Sequence, residues 1–97
     1  MLKHIVMWKF KPEAEGADNL VRAKALLDAC AGLTPGMRML EVAIAQPGLE
    51  CTYDLVLYAE FDDAAALDAY QSHPQHLAVK PFIGAVRLER QCMDYQT

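Results

Sequence analysis

The stretch Leu2–Lys11, LKHIVMWKFK, decides the fold because its residues alternate between two sets. One set contains Leu2, His4, Val6, Trp8 and Phe10, and the other contains Lys3, Ile5, Met7, Lys9 and Lys11. A period of two is typical of a β-strand, whose successive side chains point to opposite faces of a sheet. The sequence therefore predicts a strand with one face that is apolar apart from His4.

Working outward from this strand, the spacing of apolar residues predicts five further elements. They are a helix over residues 18–32 capped by Asp18, strands over 37–46 and 53–61, a helix from the cap Asp62 to about Ser72, and a strand over 83–94. A final helical turn is expected over residues 76–80, before Pro81. The order β-α-β-β-α-β is the ferredoxin-like arrangement, an α+β fold with an antiparallel four-stranded sheet. We expect residues 1–97 to form one domain.

The two faces of this sheet differ in character. The helices are expected to cover a face made of Val6, Trp8, Leu40, Val42, Ile44, Leu55, Leu57, Val86 and Leu88. The opposite face mixes charges with Ile5, Met7, Val56, Tyr58, Ala85 and Met93. An apolar patch of that kind usually marks an interaction site. The sequence therefore predicts a homodimer in which two sheets pack face to face.

Composition argues against several kinds of partner. A net charge of −4 does not suit a nucleic-acid-binding protein, which needs a basic face. No apolar run approaches the ~20 residues that span a bilayer, and the first residues do not resemble a signal peptide. Cys30, Cys51 and Cys92 are odd in number and lack metal-like spacing. We expect reduced thiols in a cytoplasmic protein, without a nucleic-acid or membrane partner.

The stretch Leu67–His76, LDAYQSHPQH, is the candidate for chemistry. A tyrosine on the last turn of the second helix, Tyr70, and an imidazole beyond the break at Pro74, His76, are expected to converge on one pocket. Histidine exchanges protons near neutral pH, and a phenol donates a hydrogen bond to an enolate oxygen. His4 and Arg90 share the covered face by alternation, and they are candidates to orient the substrate or offset its charge.

Each of these residues also has a purely structural interpretation. His4 is equally a hydrogen-bonded core histidine, and Tyr70 a helix residue with an anchored hydroxyl. Arg90 either extends to the sheet's edge or turns outward at a β-bulge. His73 is expected to cap a helix or face solvent. Because no third ligand accompanies His73 and His76 at familiar spacing, we expect neither a metal nor another cofactor.

Four segments together resemble the stress-responsive A/B barrel (Dabb) family. They are KHIVMWKFK at residues 3–11, LTPGM at 33–37, the L-x-x-Y-x-x-H-P-x-H pattern at 67–76, and MDY at 93–95. The likeness spans nearly the whole chain. It implies a dimeric α+β barrel built from two ferredoxin-like subunits.

The resemblance also extends, distantly, to the plant olivetolic acid cyclase, which closes a polyketide thioester by aldol condensation without a cofactor. It implies that His76 is the base, that Tyr70 holds the substrate or steadies its enolate, and that His4 completes the polar wall. We expect Val6, Trp8, Leu57 and Arg90 to contact the substrate. Trp8 and Arg90 stand where the cyclase has smaller aliphatic residues, so the resemblance implies a smaller pocket that tolerates an anion.

The leading hypothesis is a cofactor-free enzyme or ligand-binding protein for a small carbonyl or carboxylate compound. Enolate chemistry of the cyclase, isomerase or lyase type suits its residues. One alternative is a stress-associated dimer without catalysis. Another is a monooxygenase of the wider α+β barrel superfamily, in which His76 is the candidate ligand for haem. A pocket of ~300 Å³ or more beside His76 favours a ligand-binding function.

Overall fold

The computed structural model describes residues 1–12 and 16–97. Within them the chain forms β1 (Leu2–Phe10), α1 (Gly16–Asp28), β2 (Met37–Ile44), β3 (Leu55–Phe61), α2 (Ala64–Gln71), α3 (Pro74–Val86) and β4 (Arg87–Gln96). The four strands form one antiparallel sheet in the order β2-β3-β1-β4. The predicted ferredoxin-like α+β fold is confirmed, with one helix more than the sequence pattern indicated.

Strand β1 occupies the middle of the sheet and alternates as predicted. Its even-numbered residues, from Leu2 to Phe10, are buried, whereas the odd-numbered residues between them are half-buried or exposed. It pairs with β3, where Val6 lies opposite Leu57, and with β4, where Trp8 lies opposite Arg90. The buried face of β1 therefore contributes side chains to the centre of the core.

The core lies between this face and the helices. Helix α1 and the turn after it contribute Ala23, Leu27 and Cys30, while α2 contributes Ala66, Leu67 and Tyr70, the inner stripe that its spacing predicted. Strand residues Val42, Leu55, Leu57, Ala59 and Phe61 complete the packing. Burial of these side chains removes apolar surface from water, which is the main term that stabilises a domain of this size.

The predicted caps of the first two helices are wrong. Asp63, not Asp62, caps α2, because its side chain accepts a hydrogen bond from the backbone N–H of Ala66 at 2.9 Å. Asp62 instead accepts two hydrogen bonds from Arg38, at 2.6 and 2.8 Å. Asp18 lies in the first turn of α1 and is not its cap, since the helix already includes Gly16.

The last strand was predicted over residues 83–94, but it begins at Arg87. Helix α3 continues through Pro81 to Val86, so Gly84 and Ala85 are helical and belong to no sheet face. Pro74 occupies the first turn of this helix, where proline loses no hydrogen bond. Val79 and Ile83, four residues apart, are buried on one side of α3. Their burial stabilises a helix that Pro81 alone would disfavour.

A β-bulge sets the register of β4. Lys9 lies opposite Glu89 and Phe10 opposite Arg87, so Leu88 is the extra residue on the bulged strand. Leu88 is 61% exposed, and its predicted place in the core is wrong. Val86 belongs to α3 and packs against the core from there, not from the sheet.

The second face of the sheet is not covered by any of the three described helices. Ile5, Met7, Val56 and Tyr58 are half-buried there, and Met93 is 64% exposed. We call this set the open face. It has the mixed apolar character that the alternation of β1 and β3 predicted. None of the helices in the described parts of the chain has the length and apolar character needed to cross a membrane.

Gly36 lets helix α2 approach the start of β2. Its φ is +87°, in the left-handed region that favours glycine, and a Cβ there would lie 2.7 Å from the Cβ of Ala66. The Gly36 carbonyl also accepts a hydrogen bond from the N–H of Asp62 at 2.9 Å. The turn therefore lets α2, which carries Tyr70, pack directly against the sheet.

Candidate functional site

A cavity of about 440 Å³ lies between the covered face of the sheet and the helices. Its lining includes all seven residues that the sequence suggested for a site: His4, Val6, Trp8, Leu57, Tyr70, His76 and Arg90. Leu27, Val79 and Ile83 add apolar wall, and Gln71, Lys80 and Arg87 add polar groups. The volume exceeds the ~300 Å³ at which ligand pockets begin.

Tyr70 lies on the last turn of α2 and is fully buried. Its ring packs against Phe61, with 5.4 Å between ring centroids. Its hydroxyl has no hydrogen-bond partner among the residues that the structure describes. Burial raises the pKa of Tyr70 far above its ordinary value, and the nearby Cys30 sulfur adds to this effect. The phenol therefore remains protonated.

His76 lies in the first turn of α3, with its Nδ1 3.0 Å from the carbonyl oxygen of Gln71. A carbonyl only accepts hydrogen bonds, so Nδ1 carries the proton and Nε2 carries the lone pair in the neutral ring. Burial lowers the pKa of His76, and the positive charges of Lys80 and Arg90 lower it further, against the opposing effect of the Gln71 hydrogen bond. At neutral pH this ring is an uncharged base.

The junction between α2 and α3 brings these two side chains together. The backbone N–H of Ser72 donates to the carbonyls of Asp68 and Tyr70, which closes α2. His73 then caps α3, with Nδ1 accepting from the N–H of Gln75 at 3.1 Å. The chain thus changes direction within two residues, and the centroids of the Tyr70 and His76 rings lie 4.6 Å apart. The predicted convergence is present, and His73 has the capping position that its sequence context suggested.

His4 reaches the cavity from the sheet. It is 4% exposed, and its Nδ1 lies 2.5 Å from Oδ1 of Asp94. Asp94 stands opposite His4 in the pairing of β1 with β4. A carboxylate accepts a hydrogen bond, so Nδ1 of His4 is protonated and Nε2 is left for the cavity side.

Arg90 also belongs to the cavity. It lies opposite Trp8 in the β1–β4 register, on the covered side of the sheet, because the bulge at Leu88 precedes it. Arg87, at the start of β4, and Lys80, on α3, line the same cavity. The outward orientation that was an alternative for Arg90 does not occur.

Asp94, Gln71, Lys80 and Arg87 were not expected at the site. For Asp94 the signal was available: it lies four residues beyond Arg90, so a period of two places both on one face. Arg87 was missed because residues 83–86 were assigned to a strand, and Lys80 because α3 was expected to be a single turn that ends there. Among residues 1–12 and 16–97, no three His, Cys, Asp or Glu side chains gather in a group suited to a metal ion.

Comparison with known proteins identifies relatives of the whole chain. The family model described as "Stress responsive A/B Barrel Domain" matches residues 2–97. A dimeric ferredoxin-like protein of unknown function from Bacteroides fragilis superposes with a TM-score of 0.84 at 28% identity, over 99% of this chain and 95% of that one. A Dabb family protein from Mesorhizobium loti gives 0.72 at 25% identity, over 99% and 95%.

A more remote likeness extends to a protein with a named activity. An antibiotic biosynthesis monooxygenase superposes with a TM-score of 0.75 at 21% identity, over 100% of this chain and 98% of that one. At that identity the likeness shows a shared fold and nothing more. No curated protein matches the sequence significantly.

Proposed function

The chain belongs to the stress responsive A/B barrel domain family, and from that premise we propose that it is a small enzyme acting on a carbonyl compound. His76 removes a proton next to the carbonyl, and Tyr70 stabilises the enolate that results. Cyclisation, isomerisation and lyase reactions all proceed through such an intermediate. The proposed reaction needs only these protein groups as acid and base.

One observation carries this proposal. A neutral imidazole with a free Nε2 and a buried phenol without a described partner line one cavity, with ring centroids 4.6 Å apart. A buried hydroxyl that lacks a partner is energetically unfavourable, whereas an enolate oxygen would accept its hydrogen bond. The pKa shifts act in the same direction, because the base is held neutral and the donor is held protonated.

The proton transfer balances within these groups. Nε2 of His76 takes the proton from the α carbon, and the electrons of that C–H bond form the carbon–carbon double bond of the enolate. The carbonyl oxygen gains the negative charge and accepts the hydrogen bond from Tyr70. The imidazolium then returns the proton to carbon or to a leaving group, which restores His76.

His4 contributes a second polar wall opposite the helices. The hydrogen bond from Nδ1 to Asp94 fixes the orientation of its ring. In this proposal His4 positions the substrate oxygen or a second polar group of the substrate. Val6, Trp8 and Leu57 provide the apolar wall against which the carbon skeleton packs.

The alternative functions have less support. A dimer without catalysis gives no use to the cavity of about 440 Å³ that Tyr70 and His76 line. For a monooxygenase, the support is a fold shared at 21% identity. Neither alternative gives a role to the Tyr70 hydroxyl, which has no partner among the described residues.

Exchange of α protons tests the proposal without knowledge of the natural substrate. The protein is incubated in D₂O with butyrophenone and with 4-oxo-4-phenylbutanoate, and loss of the α-proton signal is followed by NMR. We expect exchange of the bound ketone to be faster than in buffer. His76→Gln should abolish the acceleration, and Tyr70→Phe should reduce it about 10²–10³-fold, with ketone binding retained. Exchange no faster than in buffer, or failure of both ketones to bind, would contradict the proposal.

We also propose that the protein is a cytoplasmic homodimer formed through the open face. The Bacteroides fragilis relative is described as dimeric. On the open face of this chain, Ile5, Met7 and Val56 form a partly exposed apolar centre that a second sheet would cover. Cys30, Cys51 and Cys92 are free thiols, which supports a reducing compartment.

A further inference from the structure

Three cationic side chains line one part of the cavity. Lys80 and Arg87 come from α3 and from the first position of β4, and Arg90 comes from β4 beside Trp8. All three residues are exposed even though they line the cavity, so they lie at its rim, where it meets solvent. We call them the cationic rim.

The order of residues along α3 leaves space at this rim. Lys80 and Gly84 lie four residues apart on one side of α3, and Arg87 follows as the C-cap of that helix. A Cβ built on Gly84 meets nothing within 4 Å. Glycine therefore leaves an opening between the two cations through which a ligand group can reach both.

The charge at this rim is unbalanced. The chain has nine Lys and Arg against thirteen Asp and Glu, yet three of the cations and, among the described residues, no carboxylate line the cavity. Within residues 1–12 and 16–97, no carboxylate forms an ion pair with Lys80, Arg87 or Arg90. Clustered cations beside an apolar wall raise the local positive electrostatic potential, which attracts an anion.

We infer that the cavity binds a small organic acid whose carboxylate is held by Arg90 together with Arg87 and Lys80. The apolar part of that acid packs against Trp8 and Leu57. The position of its reacting carbonyl, beside Tyr70 and His76, rests on the proposed function, while the carboxylate site does not. The planar guanidinium of arginine suits a carboxylate because it donates two parallel hydrogen bonds.

Binding of an anion at this rim should be detectable at His76. Burial is the main cause that lowers the pKa of His76, and the charged or titratable neighbours Lys80, His4 and Arg90 lower it further. A bound carboxylate offsets the charge of Lys80 and Arg90. The pKa of His76 therefore rises when an acid binds, whereas a neutral ligand of the same shape leaves that charge in place and further buries the ring.

The experiment compares 4-oxo-4-phenylbutanoate with its methyl ester, which has the same skeleton without the charge. Dissociation constants are measured by calorimetry for the full chain, and the His76 ring is titrated by NMR with each ligand present. We expect the acid to bind about tenfold more tightly than the ester and to raise the pKa of His76. Arg90→Gln should remove the preference for the acid by lowering acid affinity to about that of the ester. Arg22→Gln, which alters an exposed arginine stacked on Phe82 outside the cavity lining, is the control and should retain the preference.

The outcomes separate this inference from the proposed function. Equal affinity for acid and ester, or an unchanged preference in Arg90→Gln, would overturn the carboxylate site even if α-proton exchange is observed. Displacement of the acid by an equal concentration of inorganic phosphate would also overturn it, in favour of a phosphate site. Conversely, a preference for the acid that Arg90→Gln removes supports the inference even if no α proton exchanges.

Discussion

Oδ1 of Asp94 lies 2.5 Å from Nδ1 of His4, and this contact joins β1 and β4, the first and last strands of the chain, which pair in the sheet. The two residues are ninety positions apart and are exact partners in the strand register. The carboxylate is about 40% exposed, whereas the imidazole is buried. A solvent-accessible group thus determines which nitrogen of a buried ring carries the proton.

Removal of the Asp94 carboxylate should abolish the preference of His4 for the tautomer protonated at Nδ1. In the wild type we expect ¹⁵N NMR to show His4 protonated at Nδ1, and in Asp94→Ala we expect that preference to be lost. Because the carboxylate is partly exposed, the free energy of unfolding should fall by only about 1 kcal/mol. Gln96→Ala, an exposed change near the end of the same strand, should leave the His4 tautomer as it is. An unchanged tautomer in Asp94→Ala would show that the carboxylate does not control the ring.

Tyr70→Phe should separate stability from function. The hydroxyl that it removes is buried without a described partner, so we expect the free energy of unfolding to stay constant or rise by up to about 1–2 kcal/mol. Tyr70→Ala removes the whole ring and should lower it by about 3–5 kcal/mol. Urea denaturation measures both. A clear loss of stability in Tyr70→Phe would mean that the hydroxyl already has a structural partner.

His76 should make the fold sensitive to acid. Its pKa in the folded state is below the ordinary value near 6.5, so the unfolded chain binds the proton first as the pH falls. The contribution to stability is fully present above pH ~6.5 and is lost progressively below it. Thermal unfolding from pH 8 down to pH 5 should show a smaller drop in Tm for His76→Gln than for the wild type. Parallel curves for the two proteins would contradict the lowered pKa.

Met7→Glu should dissociate the proposed dimer. A carboxylate in the centre of a packed sheet face is strongly unfavourable, whereas in a monomer the same residue is solvated. Light scattering at micromolar concentration should report a dimer for the wild type and a monomer for the variant, with unchanged circular dichroism. Val21→Glu, on the exposed surface of α1, is the control and should remain dimeric. A monomeric wild type, or a dimeric Met7→Glu, would show that the open face is not the interface.

Alanine substitutions at Gly36 and Gly48 test how closely α2 packs against the turn before β2. Both have a φ of +87°, but only Gly36 has a neighbour, the Ala66 Cβ, within contact of a new methyl group. Gly48→Ala should lower the free energy of unfolding by about 1–2 kcal/mol through backbone strain alone. Gly36→Ala should lower it by a further ~1–3 kcal/mol because α2 must move. If chemical denaturation shows the same loss of unfolding free energy in both variants, α2 moves away from the new methyl group without strain.

Most of the fold and the centre of the site could be predicted from local sequence patterns. The alternation in β1 assigned His4, Val6 and Trp8 to the covered face, and the spacing in α2 placed Tyr70 inward. The break before Pro74 indicated that His76 would face the same space. These predictions succeed because side-chain direction in a strand or helix follows from period alone.

The remaining features depend on contacts between distant parts of the chain. Only one turn of helix α3, over residues 76–80, was predicted, because Pro81 resembles a stop signal and residues 84, 86 and 88 alternate like a strand. Burial of Val79 and Ile83 stabilises the helix beyond that turn. Of the cationic rim, Arg90 was predicted, whereas Lys80 and Arg87 were missed. The partnership of Asp94 with His4 depends on the pairing of the first and last strands. The choice between Asp62 and Asp63 as cap depends on which carboxylate Arg38 engages.

The alternation of β1 makes a single strand responsible for two surfaces. His4, Val6 and Trp8 point to the cavity, while Ile5 and Met7, between them, point to the other side of the sheet. Point substitutions can therefore alter ligand recognition and self-association separately. An insertion or deletion of one residue between Lys3 and Trp8 would invert the strand and exchange the two sets, so both properties would be lost in one mutational step.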